Sequence, residues 1–286
     1  MVEEYGTDVG PKRQLPMLPI GRVPMNSNGT SPVGGRPDYG IDAPGVRRGM
    51  FIAGCAGVAV AIGARFTSWL GSFAPWISGL GFVVAAYGLF MAAYMTYGSR
   101  IGKLRTREKL LDLASALRPW NGSEVVLDVG CGRGLMLVGA ARRLKTGQAV
   151  GIDLWRAEDQ TDNSPTAAQA NAHIEGVSDR IRIDTGDARQ LPYPDGSFDA
   201  VLSHWVVHNL PDANDRQRAL DEMLRVLRPG GVLVLADIAF IGEYRSYLSS
   251  KGFMRLQFDN GGAEAAIMGA LSGGSYRPQA LIGVRR

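Results

Sequence analysis

A stretch near the middle of the chain combines a short apolar run with closely spaced glycines. Val125–Val129 is apolar and mostly β-branched apart from Asp128, and glycines follow at positions 130, 132 and 134. Residues 135–144 then carry the apolar spacing of a helix. Glycine lets the backbone approach a ligand closely, and the free N–H groups of a first helical turn attract an anion. The stretch therefore predicts a strand, a backbone cradle and a helix that bind a nucleotide-like or carboxylate-bearing cofactor.

A carboxylate follows the next predicted strand. Asp153 stands about 20 residues beyond the glycines, where a carboxylate can accept hydrogen bonds from two ribose hydroxyls. The dinucleotide fingerprint needs a glycine where Leu135 stands, and the phosphate-binding loop needs a Lys-Ser/Thr pair that is absent. Both nucleotide interpretations are thereby weakened, and a nicotinamide oxidoreductase stays only as a minor alternative.

The elements that position these residues alternate along the chain from residue 121 to residue 286. This alternation of strands and helices predicts a doubly wound α/β domain. In the sheet of such a domain, ligands bind outside the carboxyl ends of the strands. The predicted strands are residues 124–129, 149–153, 181–185, 200–205, 232–237, 254–258 and 280–285, and the predicted helices are 135–144, 165–174, 214–227 and 243–251.

Five segments of this domain resemble, in order, the motifs of class I S-adenosylmethionine-dependent methyltransferases. The resemblance implies a Rossmann-like, seven-stranded sheet with helices on both faces, an antiparallel last strand, and S-adenosylmethionine as cofactor. The segments are DVGCGRG at 128–134, GID at 151–153, GDARQLP at 186–192, SFDAV at 197–201 and RVLRPGG at 225–231.

The same resemblance implies roles for individual residues. The glycine loop would carry the methionine part of the cofactor, Asp153 the ribose, and Asp187 with Ala188 the adenine. Asp128 would order the loop and the methionine amino group, and Trp155 would either stack on the adenine or lie in the core. The expected cofactor-binding residues are Asp128, Gly130, Cys131, Gly132, Gly134, Asp153, Leu154, Asp187, Ala188 and Ser203.

The segment SHWVVHNLPD at 203–212 resembles the part of the family that lines the acceptor pocket. His208 is the candidate general base, because imidazole titrates near neutrality. A structural role, in which His208 only hydrogen-bonds the loop, is the alternative. His204 is expected to be a packing residue and His173 to face solvent. We expect no metal, since the two cysteines, Cys55 and Cys131, form no ligand cluster or disulfide framework.

The amino-terminal third has a different composition. Residues 1–46 are rich in Pro, Gly, Asn and Ser and predict a flexible tail. Residues 47–99 predict two hydrophobic helices in a transmembrane hairpin, since Arg65 is the only charge between Gly49 and Ser99. Residues 77–97 are long enough to span a bilayer, whereas the first helix is marginal, and the turn is expected at 72–76. A soluble helical cap is the alternative, but it would carry a polar face.

Basic residues flank the hairpin at Arg47, Arg48 and Arg100 and continue through the following segment, so both ends are expected on the cytoplasmic side. Residues 100–120 predict an amphipathic linker helix that lies on the membrane or packs on the domain. The net charge of +4 forms no stripe typical of nucleic-acid binding. No pattern indicates an oligomeric state.

The combined hypothesis is methyl transfer to a small, lipophilic acceptor at the cytoplasmic membrane face. The acceptor pocket is expected to be closed by the segment that precedes residue 121. A non-catalytic, membrane-tethered S-adenosylmethionine-binding protein is the alternative, since it would keep the glycines and Asp153 without an acceptor pocket.

Overall fold

The structure of the protein, a computed structural model, describes residues 35–156, 162–274 and 276–286, so most of the predicted tail lies outside the described residues. The helices are α1 Pro44–Phe66, α2 Ala74–Tyr97, α3 Lys103–Leu117, α4 Leu135–Ala141, α5 Pro165–Ile174, α6 Ala213–Val226, α7 Ile241–Ser249 and α8 Gly262–Leu271. The strands are β1 Val125–Val129, β2 Gln148–Asp153, β3 Ile181–Thr185, β4 Phe198–His204, β5 Leu227–Asp237, β6 Phe253–Asp259 and β7 Gln279–Arg285.

The seven strands form one mixed sheet in the order β3-β2-β1-β4-β5-β7-β6. Strands β1 to β5 are parallel to their neighbours, and β7 runs antiparallel between β5 and β6. The prediction of a seven-stranded α/β sheet with an antiparallel last strand is confirmed. The strand order reverses beside β1, so the carboxyl ends of β1 and β4 mark the place where a ligand is expected.

Helix α3 packs on the domain, which decides between the two roles predicted for the linker. Leu110, Leu111 and Ala114 are buried in the same hydrophobic core cluster as Val138 and Ala141 of α4. The apolar stripe of an otherwise basic helix is thereby removed from water, and its burial stabilises the domain by about 25 cal/mol per Å² of apolar surface.

The segment just before α1 is bonded to the domain. The buried Lys103 ammonium donates to the carbonyl oxygens of Tyr39 (2.7 Å) and Gly40 (2.8 Å) and to the Asp42 carboxylate (3.1 Å). Asp38 exchanges two hydrogen bonds with the side chain of Asn171. Residues 38–42 are therefore attached along the domain, although the sequence predicts a flexible tail as far as residue 46.

Helices α1 and α2 form the predicted hairpin, and small residues line their contact. A Cβ at Gly57 would lie 2.6 Å from the Ala85 nitrogen, and a Cβ at Gly88 would lie 2.6 Å from the Met50 carbonyl oxygen. The absence of side chains at these positions lets the two backbones approach closely, as small residues do between membrane helices.

The turn of the hairpin lies slightly earlier than predicted, at residues 67–73, and α2 already begins at Ala74. Pro75 stands in the first turn of α2, where a missing N–H leaves no helical hydrogen bond unmade. Arg65, near the turn, donates to Ser78 Oγ at 3.3 Å and lies over the Phe82 ring.

The outer surface of the hairpin is apolar. Trp69 is 83% exposed and Trp76 is 80% exposed at the turn end. Helix α1, and the helix that continues from Ser68 through a π-helical turn to Leu117, are each long and apolar enough to cross a membrane. Length and composition alone are weak evidence of membrane insertion, since buried core helices can satisfy the same criteria.

Candidate active site

A cavity of about 540 Å³ opens at the carboxyl ends of β1, β2 and β4. One end is lined by the glycine loop after β1 and the residues that follow β2. The other end is lined by α1, α2, α8 and the segment after β4. The cavity therefore joins the predicted cofactor site to a second, more apolar compartment.

The glycine loop needs its glycines for two separate reasons. Gly130, Gly132 and Gly134 have φ values of 71°, 51° and 85°, in the left-handed region. A Cβ at Gly130 would also overlap the side chain of Val206, from the segment after β4. The loop can thus pack against the segment after β4 only because residue 130 has no side chain.

Asp153 ends β2 beside this loop. One carboxylate oxygen accepts the N–H of Gly132 at 2.8 Å, and the other accepts the N–H of Trp155 at 2.7 Å. The Trp155 ring packs against the hydrophobic core, and its Nε1 donates to Thr185 Oγ1 at 2.9 Å. Trp155 is not among the cavity-lining residues, so the structure favours the core position over adenine stacking.

Asp128 lies buried on β1 and also lines the cavity. Its carboxylate accepts the N–H of Leu137 at 2.8 Å, in the first turn of α4. Burial, with a smaller contribution from the nearby Asp153 carboxylate, raises the pKa of Asp128 to about 7. This hydrogen bond of Asp128 therefore ties β1 to helix α4.

The predicted adenine-side residues lie at the same end of the cavity. Asp187, Ala188 and Leu154 line it. The guanidinium of Arg189 forks onto the Asp187 carboxylate and also reaches Asp215 at 2.6 Å. The hydrogen bond from Arg189 lowers the pKa of Asp187, so this carboxylate remains ionised.

Of the three remaining residues that were predicted to bind the cofactor, one lines the cavity and two do not. Cys131 lines the cavity, and burial raises the pKa of its thiol, as expected of a spacer rather than a nucleophile. Gly134 and Ser203 are not among the lining residues. Side chains alternate along a strand, so the neighbouring His204 reaches the cavity while Ser203 is buried on the other face of β4.

His208 is paired with a buried carboxylate that the sequence analysis missed. Its Nδ1 hydrogen-bonds Asp237 Oδ1, and its backbone N–H donates to Asp237 Oδ2 at 3.0 Å. Asp237 is fully buried at the end of β5. A carboxylate on Nδ1 fixes the imidazole tautomer and orientation and leaves Nε2 as the free ring nitrogen. The sequence signal for Asp237 was its position as the acidic residue at the end of the apolar run VLVLAD. This run forms β5, the neighbour of the strand that precedes His208.

His204 is more than the packing residue that the sequence predicts. Its ring stacks on Trp205 with centroids 4.8 Å apart, and it lines the cavity. Burial lowers its pKa to about 4, which keeps the imidazole neutral at physiological pH. Among the described residues, its buried Nε2 has no hydrogen-bond partner. His173, by contrast, is exposed on α5, as expected.

The far end of the cavity is built from the amino-terminal third of the chain. Met50 of α1, Tyr87 and Met91 of α2, and Met268 of α8 line it. Three of these four side chains come from the segment before residue 121, and that this end of the cavity holds the acceptor stays a prediction. Within the described ranges, no group of three or more His, Cys, Asp or Glu could hold a metal ion.

Residues 127–235 of this α/β domain match the methyltransferase domain family. The chain is 40% identical over 117 residues to Methyltransferase GfsG of Streptomyces halstedii, covering 41% of this chain and 38% of that protein. It is 35% identical over 136 residues to 27-O-demethylrifamycin SV methyltransferase of Amycolatopsis mediterranei, covering 46% and 45%. The alignments thus span less than half the length of these two relatives.

Among solved structures, geranyl diphosphate C-methyltransferase from Streptomyces coelicolor A3(2) matches with a TM-score of 0.48 and 18% identity. The match covers 64% of this chain and 76% of that one. The match to the methyltransferase domain family indicates S-adenosylmethionine as the cofactor.

The residues present fit that cofactor. Two carboxylates, Asp128 and Asp153, line the cavity at the ends of neighbouring strands, beside a loop that has no side chain at positions 130 and 132. A carboxylate suits both an ammonium group and ribose hydroxyls. The chemistry of the cavity wall therefore matches the amino acid and ribose parts of the group.

Proposed function

We propose that the protein transfers the methyl group of S-adenosylmethionine to a small, lipophilic acceptor at the cytoplasmic face of a membrane. The observation that carries this proposal is the composition of one continuous cavity. Its glycine-loop end suits the cofactor, and its opposite end is lined by Met and Tyr side chains from the hydrophobic hairpin and α8, with the Lys103–Asp42 ion pair beside them.

At the cofactor end, Asp153 holds the ribose and Asp128 faces the amino group of the methionine part. Asp187, Ala188 and Leu154 border the adenine, and the loop at 130–134 lies against the methionine part. When bound, S-adenosylmethionine supplies an electrophilic methyl group on a sulfonium. Holding the acceptor atom close to that methyl, with water excluded, accounts for much of the catalysis.

His208 acts as the general base where the acceptor carries a proton that must leave. Asp237 on Nδ1 stabilises the imidazolium that forms when Nε2 takes the proton. His204, neutral and with its Nε2 unpaired among the described residues, offers a hydrogen bond to a polar group of the acceptor.

The hairpin carries the cavity to the membrane. Its outer surface is apolar, and Arg65, the only charge between Gly49 and Ser99, is held by Ser78 and Phe82 of α2. Basic residues lie at both ends of this uncharged stretch. The positive-inside rule puts the methyltransferase domain in the cytoplasm. The relatives named above add support only for a small-molecule acceptor, as the name of the rifamycin methyltransferase states for that protein.

Incubation of the full chain with methyl-labelled S-adenosylmethionine and a membrane lipid extract tests the proposal. We expect label in the organic phase, and a loss of about 10²- to 10⁴-fold in turnover for His208→Gln with cofactor affinity unchanged. The matched control is His173→Gln, on the surface of α5. Cofactor binding without any labelled product would favour the non-catalytic binding protein. Label found only in water-soluble products would refute the lipophilic acceptor.

A further inference from the structure

Helix α8, which the sequence analysis missed, is apolar on both of its faces. Ala265, Met268 and Gly269 are buried against the molecule. The opposite face is a stripe of exposed apolar residues at helical spacing, in which Ile267 is 58% exposed and Leu271 is 39% exposed. The stripe consists of Ala263, Ala266, Ile267, Ala270 and Leu271. A helix that is apolar all round belongs in an apolar environment, yet half of α8 has no protein cover within the described chain.

Two tyrosine hydrogen bonds fix α8 alongside α2. Tyr94 donates to Glu264 Oε1 at 2.6 Å, and Tyr87 donates to the Leu271 carbonyl oxygen at 2.9 Å. Tyr87 and Tyr94 are seven residues apart on α2, and Glu264 and Leu271 are seven residues apart on α8. The two helices therefore run antiparallel at the same level for about two turns, or about 10 Å, and both of them line the cavity. The carboxyl end of α8 points toward the turn of the hairpin.

The level of α8 can be compared with the length that the hairpin needs to cross a bilayer. Between Tyr87 and the hairpin turn, only residues 74–86 of α2 extend past α8. These residues span about 20 Å at 1.5 Å per residue. A hydrocarbon core is about 30 Å thick. The hairpin therefore needs about 10 Å more to cross the hydrocarbon core, and this equals the length of the part of α2 that lies level with α8.

We propose that α8 is a third membrane element, immersed in the cytoplasmic leaflet beside the hairpin, with the stripe at 263–271 facing lipid. This inference rests on the proposed membrane insertion of the hairpin and extends it. With α8 in the hydrocarbon, the hairpin spans the bilayer. With α8 in water, the hairpin is too short and an apolar helix face is left exposed.

The charges of α8 agree with this depth. Glu264 is its only charged residue, and it lies at the end nearer the domain, where the Tyr94 hydroxyl bonds it. The inner face of α8 contributes Met268 to the cavity. The acceptor end of the cavity therefore lies at the level of the cytoplasmic leaflet, and the acceptor class is a molecule that partitions into that leaflet.

Spin labelling of the full chain in phosphatidylcholine–phosphatidylglycerol vesicles tests the inference. The parent is Cys55→Ser, because Cys131 is buried. Labels are attached at Ile267→Cys on α8, at Val83→Cys in the free part of the hairpin, and at Arg218→Cys, an exposed position of α6 that serves as the aqueous control. Collision rates with oxygen, which concentrates in lipid, are compared with those of a water-soluble nickel chelate.

The oxygen-to-nickel ratio is expected to be several-fold higher at positions 83 and 267 than at 218. A lipid-like ratio at 83 with a water-like ratio at 267 overturns the immersion of α8 and leaves the hairpin proposal standing. A water-like ratio at 83 overturns the membrane insertion itself. Unchanged S-adenosylhomocysteine affinity of each labelled variant verifies that the domain remains folded.

Discussion

The two ends of the cavity are built on different principles. At the cofactor end, backbone geometry defines the site: a glycine loop in the left-handed region lies between two strand-end carboxylates. At the hairpin end, Met and Tyr side chains of α1, α2 and α8 line the wall, together with the Lys103–Asp42 ion pair. Under the proposed function, the first end specifies one ligand closely, whereas the second selects a class of ligand by hydrophobicity and volume.

This difference explains why the motifs identify a cofactor and leave the acceptor open. A backbone cradle demands glycine and aspartate at fixed spacing, and such demands leave a pattern in a sequence. An apolar wall is satisfied by many combinations of Met, Leu, Tyr and Val, since hydrophobic contacts are non-directional. Three predictions test whether the two ends are as independent as this comparison implies.

The largest effect is expected at the cofactor end, from Asp153→Ala. Loss of two charge-assisted hydrogen bonds to ribose, each contributing about 1.5 kcal/mol or more, weakens cofactor affinity about 100-fold. Titration calorimetry with S-adenosylhomocysteine measures the change. The exposed Asp179→Ala is the control, and unchanged affinity of Asp153→Ala would mean that the ribose site lies elsewhere.

A smaller effect is expected at the hairpin, from Gly57→Val. The added side chain meets the backbone of α2 near Ala85, and overpacking of this kind destabilises by about 1–3 kcal/mol. Thermal unfolding in detergent micelles measures the loss. Gly63→Ala is the matched control, because position 63 has open space around it. A large fall in cofactor affinity for Gly57→Val would contradict the independence of the two ends.

The smallest effect is a pH dependence of cofactor-product binding. Burial raises the pKa of Asp128 to about 7, so the carboxyl is protonated below that pH in the free protein. An ammonium group favours the ionised carboxylate, so binding below pH 7 must release a proton. Affinity for S-adenosylhomocysteine is expected to fall by about tenfold per pH unit below pH 7 and to level off above it.

Calorimetry of wild type and Asp128→Asn between pH 5.5 and 7.5 checks this dependence. The slope should disappear in Asp128→Asn, which cannot ionise at this position. A slope that persists in the variant would assign the titration to another group.

The sequence predicts the sheet well because its signals are local. The five parallel strands β1 to β5 and helices α4, α5 and α6 all follow from periodicity, glycine turns and capping residues within each segment. Helix α8 was missed because it is short, begins at the second glycine of a Gly-Gly pair and lacks a polar face to define its period.

The parts of the site that the sequence could not predict depend on distant contacts. Asp237 meets His208 only because β4 and β5 are neighbours, a distance of 29 residues along the chain. Residues 38–42 read as tail because their partners, Lys103 and Asn171, lie in other elements. Composition describes a segment alone, whereas these contacts belong to the assembled fold.

The continuity of α2 with α3 has a practical consequence for anyone who shortens this protein. A chain cut at Arg100 loses Met50, Tyr87 and Met91 from the cavity wall, together with the hydroxyls that hold α8. The amino-terminal third thus forms one side of the cavity. A fragment that starts at Arg100 would keep the glycine loop and Asp153 but would leave the other end of the cavity open to water.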